Sequence, residues 1–338
     1  MSEMMRAVGF TEFGGPEVLR IVSLPIPAPG PGEVLVRVAA AAVNPTDLAF
    51  RNGGHRSRMP ADLAPPYVPG MDLAGTIEAV GPGTVAGTVA GPGTVAGPGT
   101  VAGPGTAWQP GERVMAAVSS FVPGGGAQAE FVVVADDALT RVPSGIGLVE
   151  ASTLPMNALT VRAVLDELAL QLGQTLAITG AAGAVGGYAI QLGRAEGLRI
   201  IADASPADEA LVRDLGADVV VGRGPDVATA IREAVPGGVD ALLDAAVLGP
   251  PVLPAVRDGG QVMAVRPFAG EPERDIKVSL VLVFQHLHEG DTLARLAEQA
   301  AAGTLTLRVA DVLPASEAAR AHRRFEAGGV RGRLVLTF

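Results

Sequence analysis

The strongest chemical signal in the chain is the stretch Ile178-Thr-Gly-Ala-Ala-Gly-Ala-Val-Gly-Gly-Tyr-Ala-Ile-Gln-Leu192. An apolar run ends at Thr179, small residues make a tight turn, and a helical pattern begins. Gly183 and Gly186 give G-x-x-G, with Ala181 where a dinucleotide fingerprint has its first glycine. A small residue still permits the turn, Gly183 lets a pyrophosphate approach the backbone, and Gly186 lets helix and strand pack closely. Ala181, Ala182, Gly183, Ala184, Val185 and Gly186 are therefore candidate phosphate-binding positions, because helix N-terminal N–H groups meet an anion there. Asp203 follows Gly183 by 20 residues, at the end of the next apolar run, where an acid contacts an adenosine ribose. Taken alone, the loop also fits an ordinary turn between strand and helix.

Other chemistry is scarce. The chain has no cysteine, which removes disulfides, zinc ribbons, iron–sulfur clusters and thiol nucleophiles. It has four histidines, of which His286 and His288 have chelator spacing but read better as exposed polar residues. Asp47 reads as a capping or structural carboxylate rather than a base. Tyr188 reads as a packing residue of the helix after the glycine-rich loop.

Two kinds of element must position these residues. Alternating runs at Glu33–Val38, Gly75–Val80, Arg113–Val118 and Ala129–Val134, separated by Pro/Gly-rich turns, make the first ~140 residues mostly β. From Glu150 the pattern changes. A helix is predicted over Glu150–Leu170 and a buried strand over Thr175–Thr179. Helices at Ala184–Glu196, Asp208–Leu215 and Val227–Ala234 then alternate with strands at Arg199–Ala202, Asp218–Val221, Asp240–Leu243 and Gly260–Val265. Such a βαβ series predicts an α/β fold, a doubly wound parallel sheet with helices on both faces. A last strand, Gly332–Phe338, is expected to rejoin the first domain. The domains read as 1–145, 146–285 and a returning segment 286–338.

The chain has 338 residues, 48% hydrophobic and 18% charged, a balance that supports a large core. Its net charge of −10 and its 12 aromatic residues exclude a phosphate-tracking, base-stacking nucleic-acid surface. No secretory signal is visible in MSEMMRAVGF, and Val278–Phe284 is too short to span a bilayer. A soluble cytoplasmic protein is expected.

Beyond the glycine-rich loop, several stretches carry a family resemblance. They are Phe10–Leu19, Ala42-Val-Asn-Pro-Thr-Asp47, Val68-Pro-Gly-Met-Asp-Leu-Ala-Gly75, Gln109–Val114, Leu154–Thr160, Leu215–Asp218 and Gly328–Arg333. In this order they resemble the medium-chain dehydrogenases/reductases, specifically their zinc-free quinone oxidoreductase branch. The resemblance implies a GroES-like mostly-β domain, a Rossmann domain, and a cleft holding NAD(P)H. Zinc alcohol dehydrogenases of the superfamily place a Cys near Asn44 and Gly-His-Glu where this chain has Gly70-Met71-Asp72, so no metal site is expected.

The resemblance further implies hydride transfer to a quinone or an α,β-unsaturated carbonyl, with Asn44 and Thr160 beside the nicotinamide. It places Val265 in the nicotinamide pocket and makes Gly332 and Arg333 late cofactor contacts. Tyr67, ahead of Val-Pro-Gly-Met-Asp, is a candidate for facing the cleft. Asp203 and Ser205 are further cofactor-binding candidates, although Asp203 would repel a 2′-phosphate and Ser205–Glu209 lacks a base. Arg223, by contrast, suits that phosphate. NADPH is favoured, with NADH the other nucleotide the residues allow. Enoyl-thioester reduction and non-catalytic nucleotide binding remain as alternatives. Lys277–Phe284 is an apolar, β-prone segment from which no oligomeric state can be read, and the resemblance implies that such strands pair across a homodimer.

From Gly81 to Thr106 the chain repeats Gly-Pro-Gly-Thr-Val-Ala almost perfectly. Pro-Gly pairs favour turns, and too few bulky residues are present for a β-helix core. The repeat reads as an expanded surface loop. Deleting Val85–Thr106 should leave both folding and nucleotide binding intact, as followed by thermal unfolding and nucleotide titration. Loss of either would give the repeat a further role.

Overall fold

The computed structural model describes residues 3–82 and 108–338, so all of the repeat except Gly81 and Pro82 lies outside the described residues. Two compact units make up the chain. One comprises 1–156, 287–301 and 307–338, and the other 157–286 and 302–306.

The first unit begins with an antiparallel pair, β1 (Met4–Gly9) and β2 (Arg20–Pro25). Next come β3 (Glu33–Ala42), α1 (Pro45–Arg51), β4 (Asp72–Val80), β5 (Arg113–Ala117), β6 (Phe131–Ala135), β7 (Leu139–Arg141) and α2 (Leu148–Ala151). The alternation that predicts β3 and β4 covers only part of each. Ala39–Ala42 extend β3 and Asp72–Ala74 extend β4, so that Ala41 pairs with Leu73 and Ala42 with Asp72. This added pairing brings Asp72 beside the start of α1. The expected helix 150–170 is instead divided between α2 and α3 (Pro155–Leu168). Pro155 lacks an N–H and is tolerated only in a first turn, so the helical pattern restarts there.

The second unit alternates β8 (Thr175–Thr179), α4 (Ala184–Ala195), β9 (Arg199–Ala204), α5 (Glu209–Asp214) and β10 (Val219–Gly222). It continues with α6 (Val227–Ala234), β11 (Val239–Asp244), β12 (Val256–Ala264) and β13 (Lys277–Leu280). All six strands are parallel in the order β10-β9-β8-β11-β12-β13, as the βαβ pattern predicts. Central β8 is covered on both faces, which is why Leu176, Ala177 and Ile178 form an unbroken apolar run. The order reverses between β8 and β11. A ligand crevice in such sheets lies beyond the carboxyl ends of these strands.

The chain then returns to the first unit through α7 (Gly290–Ala301), β14 (Val309–Pro314), α8 (Ala318–Glu326) and β15 (Arg333–Thr337). β15 pairs antiparallel with β3, matching Leu336 to Ala41. The sheet order is β14-β15-β3-β4-β5-β7, with β6 also on β3. Its core is built from alternate residues such as Val34, Val36, Leu73, Val114 and Val132. Among the described residues, no helix is long and apolar enough to cross a membrane.

Candidate functional site

In the second unit the backbone turns sharply as it leaves β8. Gly180 takes φ +69°, and a Cβ there would lie 3.0 Å from Ala245 C and Ala246 N. The tight-turn role assigned from the sequence to position 181 therefore belongs to Gly180. Gly183 caps α4 and donates its N–H to Gly180 O at 2.9 Å. A Cβ on Gly186 would sit 2.4 Å from Gly180 O and 2.6 Å from Ala181 Cα, so only glycine lets α4 start this close to β8. Ala181 and Ala182 are buried, whereas Gly183 is exposed and Ala184 and Val185 are half-buried. The exposed edge of the loop is thus backbone and small side chains at a helix start, which suits a diphosphate.

Asp203, near the end of β9, is only 1% exposed. One oxygen accepts the Ala181 N–H at 2.9 Å, and the carboxylate pairs with Arg223, Nε at 3.0 Å and Nη2 at 3.3 Å. The acid expected on a ribose is thus spent inside the protein, bracing the turn and holding Arg223. The Arg223 side chain keeps 38% exposure. Ser205 donates its hydroxyl to Asp208 at 2.6 Å. Thr160 is buried on α3, and Val265 is half-buried just past β12.

A second carboxylate, absent from the sequence reading, organises the neighbouring loop. Asp244 ends β11, paired in register with Thr179 of β8. It accepts the Thr179 hydroxyl at 2.7 Å and the N–H groups of Leu248 and Gly249 at 3.0 and 2.8 Å. Its position at a strand end, like that of Asp203, is the signal that marks it.

The first unit holds a separate buried polar cluster. The Asn44 side-chain amide donates to Asp72 Oδ2 at 2.7 Å, and Asp72 Oδ1 accepts the Met156 N–H at 2.6 Å. Asp47 accepts the Asn44 N–H at 2.8 Å and the Gly70 N–H at 3.1 Å, capping α1. Burial pushes the Asp47 carboxyl up to about 7, with the charge of Asp72 adding to the rise. Burial likewise pushes Asp72 up to about 6. Arg333, buried at the start of β15, draws both back down. Gly332 before it takes φ +115°, and a Cβ there would lie 2.5 Å from Arg308 O.

Tyr67 sits elsewhere in this unit. Its ring stacks on Phe13 at 5.5 Å and meets Phe10 and Phe50 at 5.4 and 5.8 Å, joining an aromatic cluster. The structure thus gathers Asn44 and Arg333 with Asp47 and Asp72. In the other unit it joins Ala181, Asp203 and Arg223. Among the described residues, no three His, Asp or Glu side chains are grouped so as to hold a metal ion.

Two family models match the chain. The alcohol dehydrogenase GroES-like domain covers residues 30–144, and the zinc-binding dehydrogenase model covers 215–336. A quinone oxidoreductase from Homo sapiens is 33% identical over 204 residues, 60% of this chain and 53% of that protein. A chloroplastic NADPH-dependent alkenal/one oxidoreductase from Arabidopsis thaliana is 28% identical over 268 residues, 77% of this chain and 62% of that protein. The chain thus spans little more than half the length of these curated relatives. A mycobacterial protein, Rv1454c, solved with NADPH, superposes with a TM-score of 0.80 at 27% identity, covering 99% of this chain and 100% of that one.

The buried acids set a pH dependence of stability. An unfolded aspartate releases its proton near 4, whereas folded Asp47 and Asp72 keep theirs to about 7 and 6. The folded state therefore holds more protons between those limits, and stability from this cluster falls as pH rises from 4 to 7. His322, lowered to about 3 by burial and Arg51, acts in the opposite direction, losing stability as pH falls from 6.5. Asp72→Asn leaves the His322 contribution in place and removes part of the acid one. Denaturant unfolding at pH 4.5 and 7.5 should show a smaller loss on raising pH in Asp72→Asn than in the parent. Equal or larger losses in the variant would contradict the assignment.

Proposed function

Because the chain belongs to the medium-chain dehydrogenase/reductase superfamily, in its quinone oxidoreductase branch, we propose that it is an NADPH-dependent reductase of quinones or α,β-unsaturated carbonyls. The observation that carries this reading is the glycine-rich turn after β8, with Arg223 held at its flank by Asp203. Relatives named as a quinone oxidoreductase and an NADPH-dependent alkenal/one oxidoreductase support the acceptor class. The mycobacterial structure with NADPH supports the cofactor.

In this reading Gly180 to Gly186 and the first turn of α4 hold the diphosphate, and Arg223 meets the 2′-phosphate. The apparent conflict between Asp203 and a phosphate has a physical resolution. A buried carboxylate neutralised by Arg223 and a backbone N–H no longer presents its charge outward. Bound reduced nicotinamide supplies a hydride, and with one solvent proton this converts a quinone to a hydroquinone, or an enone to a saturated ketone. The protein's task is then to align donor and acceptor and to exclude water. We assign Asn44, Thr160 and Val265 to the nicotinamide side, and Gly332 and Arg333 to late cofactor contact. Tyr67 is retained as a candidate near the acceptor.

A catalytic zinc does not fit these residues. The chain has no cysteine, Met71 stands fully buried at the expected imidazole position, and both Asp72 oxygens are engaged. Residues 83–107 add no ligand types. No step is routed through a metal.

We further propose a cytoplasmic homodimer. β13 is the terminal strand of the parallel sheet, and its apolar Val278 and Leu280 are only half-buried. Light scattering should give twice the chain mass. Leu280→Lys should shift the population to monomer, because an edge lysine opposes strand pairing. A parent protein of single-chain mass would refute the dimer.

Arg223→Gln tests the cofactor assignment. Fluorescence titration should show NADPH binding weakened roughly tenfold and NADH binding changed less than about twofold, the scale of one charge-assisted contact. Equal losses for the two nucleotides, or none, would remove Arg223 from the 2′-phosphate.

A further inference from the structure

Two of the residues assigned to the nicotinamide side share one anchor. Asp72 opens β4 and is fully buried. Its Oδ2 accepts the Asn44 amide at 2.7 Å, and its Oδ1 accepts the Met156 N–H at 2.6 Å. Met156 lies in the first turn of α3, the helix that carries Thr160. One carboxylate therefore holds the side chain of one assigned residue and the start of the element that carries the other. In the sequence these two partners lie 28 and 84 positions away from it.

Both bonds are of a kind that sets direction. The Asn44 amide is planar, so fixing one N–H fixes the direction of the other and of Oδ1. Met156 follows Pro155 at the start of α3, where an N–H has no partner within the helix and needs an outside acceptor. An ionised carboxylate only accepts, and it offers an oxygen to each donor. The strand pairing is adjusted just ahead of this point. Ala39 is an extra residue of β3 between the pairs Val38–Gly75 and Ala40–Ala74. Without this bulge the register would continue to Ala42–Met71, and a one-residue slip turns side chains to the other face. Bulges commonly re-aim a side chain beside a functional site.

We propose that Asp72 is a positioning residue for hydride transfer, setting the direction of the Asn44 amide and the placement of the α3 start, and through them the nicotinamide. Asp72 acts only through these two partners. The inference rests on the reading of Asn44 and Thr160 as nicotinamide-side residues. At pH 7.5, above the value of about 6 to which burial raises it, Asp72 is ionised and accepts from both donors.

Three measurements at that pH test the assignment. The chain has three asparagines, Asn44, Asn52 and Asn157, so isotope labelling of asparagine nitrogen gives three side-chain amide signals by NMR. In the parent, the Asn44 signal, identified by its loss in Asn44→Ser, should shift on NADPH addition more than that of exposed Asn52. In Asp72→Asn one of the two donors faces an NH₂ group, and the Asn44 signal should leave its parent position. The fluorescence lifetime of bound NADPH should change in this variant while NADPH affinity stays within about twofold. Its kcat should fall roughly tenfold, the scale of one charge-assisted bond, and the primary isotope effect from NADPH deuterated at C4 should rise. Asp72→Glu, which restores two acceptor oxygens, should recover part of both. A variant with lowered thermal stability but an unchanged lifetime and isotope effect would make Asp72 purely structural and overturn the proposal. A parent Asn44 signal that NADPH does not move would overturn it without any variant. Changed NMR and lifetime readouts, in a protein whose parent reduces neither quinone nor enone, would keep Asp72's hold on the nicotinamide and refute the reductase reading.

Discussion

A carboxylate placed at the end of a buried strand and satisfied by backbone N–H groups is the constraint on which the second unit depends. Asp203, one residue before the end of β9, holds the Ala181 N–H, and Asp244, at the end of β11, holds those of Leu248 and Gly249. Burying an ionised carboxylate is costly unless donors surround it, so each acid prescribes the path of the loop facing it. Remove Asp203 and the glycine-rich turn loses its brace while Arg223 loses its anchor. Remove Asp244 and Val247 loses what holds it in a strained backbone, φ +60°. The crevice at the sheet's carboxyl edge is therefore shaped by polar interactions inside an apolar layer.

The first unit uses the same device under a different electrostatic regime. Asp47 and Asp72 also accept backbone N–H groups, but burial outweighs those bonds and raises both carboxyls. The result is a proton-holding cluster around the Asn44 amide, oriented by its bond to Asp72. Arg333 comes to this cluster from the far end of the chain, because β15 lies against β3. Register and electrostatics are thus linked: the pairing that aligns Ala42 with Asp72 also sets the charge balance around Asn44.

The parallel sheet was legible because its strands are covered on both faces and read as short Val/Ile/Leu runs between helices. The division near Pro155 was also present as a proline, outweighed by helical spacing on both sides. Gly180 lies outside the fingerprint, which falls on the following alanines, because its role depends on the loop after β11 pressing against it. Asp72 and Asn44 are 28 positions apart, and only the extended β3–β4 register joins them. Asp203 and Arg223 were both visible, yet as opposing arguments about a phosphate. Their ion pair is a tertiary fact that turns the two into one device.

The pairing of β15 with β3 also governs the order in which the protein can be assembled. β6 covers Glu33–Arg37 on one edge of β3, but the Ala40–Ala42 stretch of β3 waits for Val335–Thr337 of β15. The second unit asks for no such wait, since its six strands lie within residues 175–280 and close short loops. Long-range pairing is slow and leaves strand edges open to wrong partners. The unit whose strands begin first is therefore the one completed last, and the Ala40–Ala42 end of β3 stays unpaired on one side until β15 arrives.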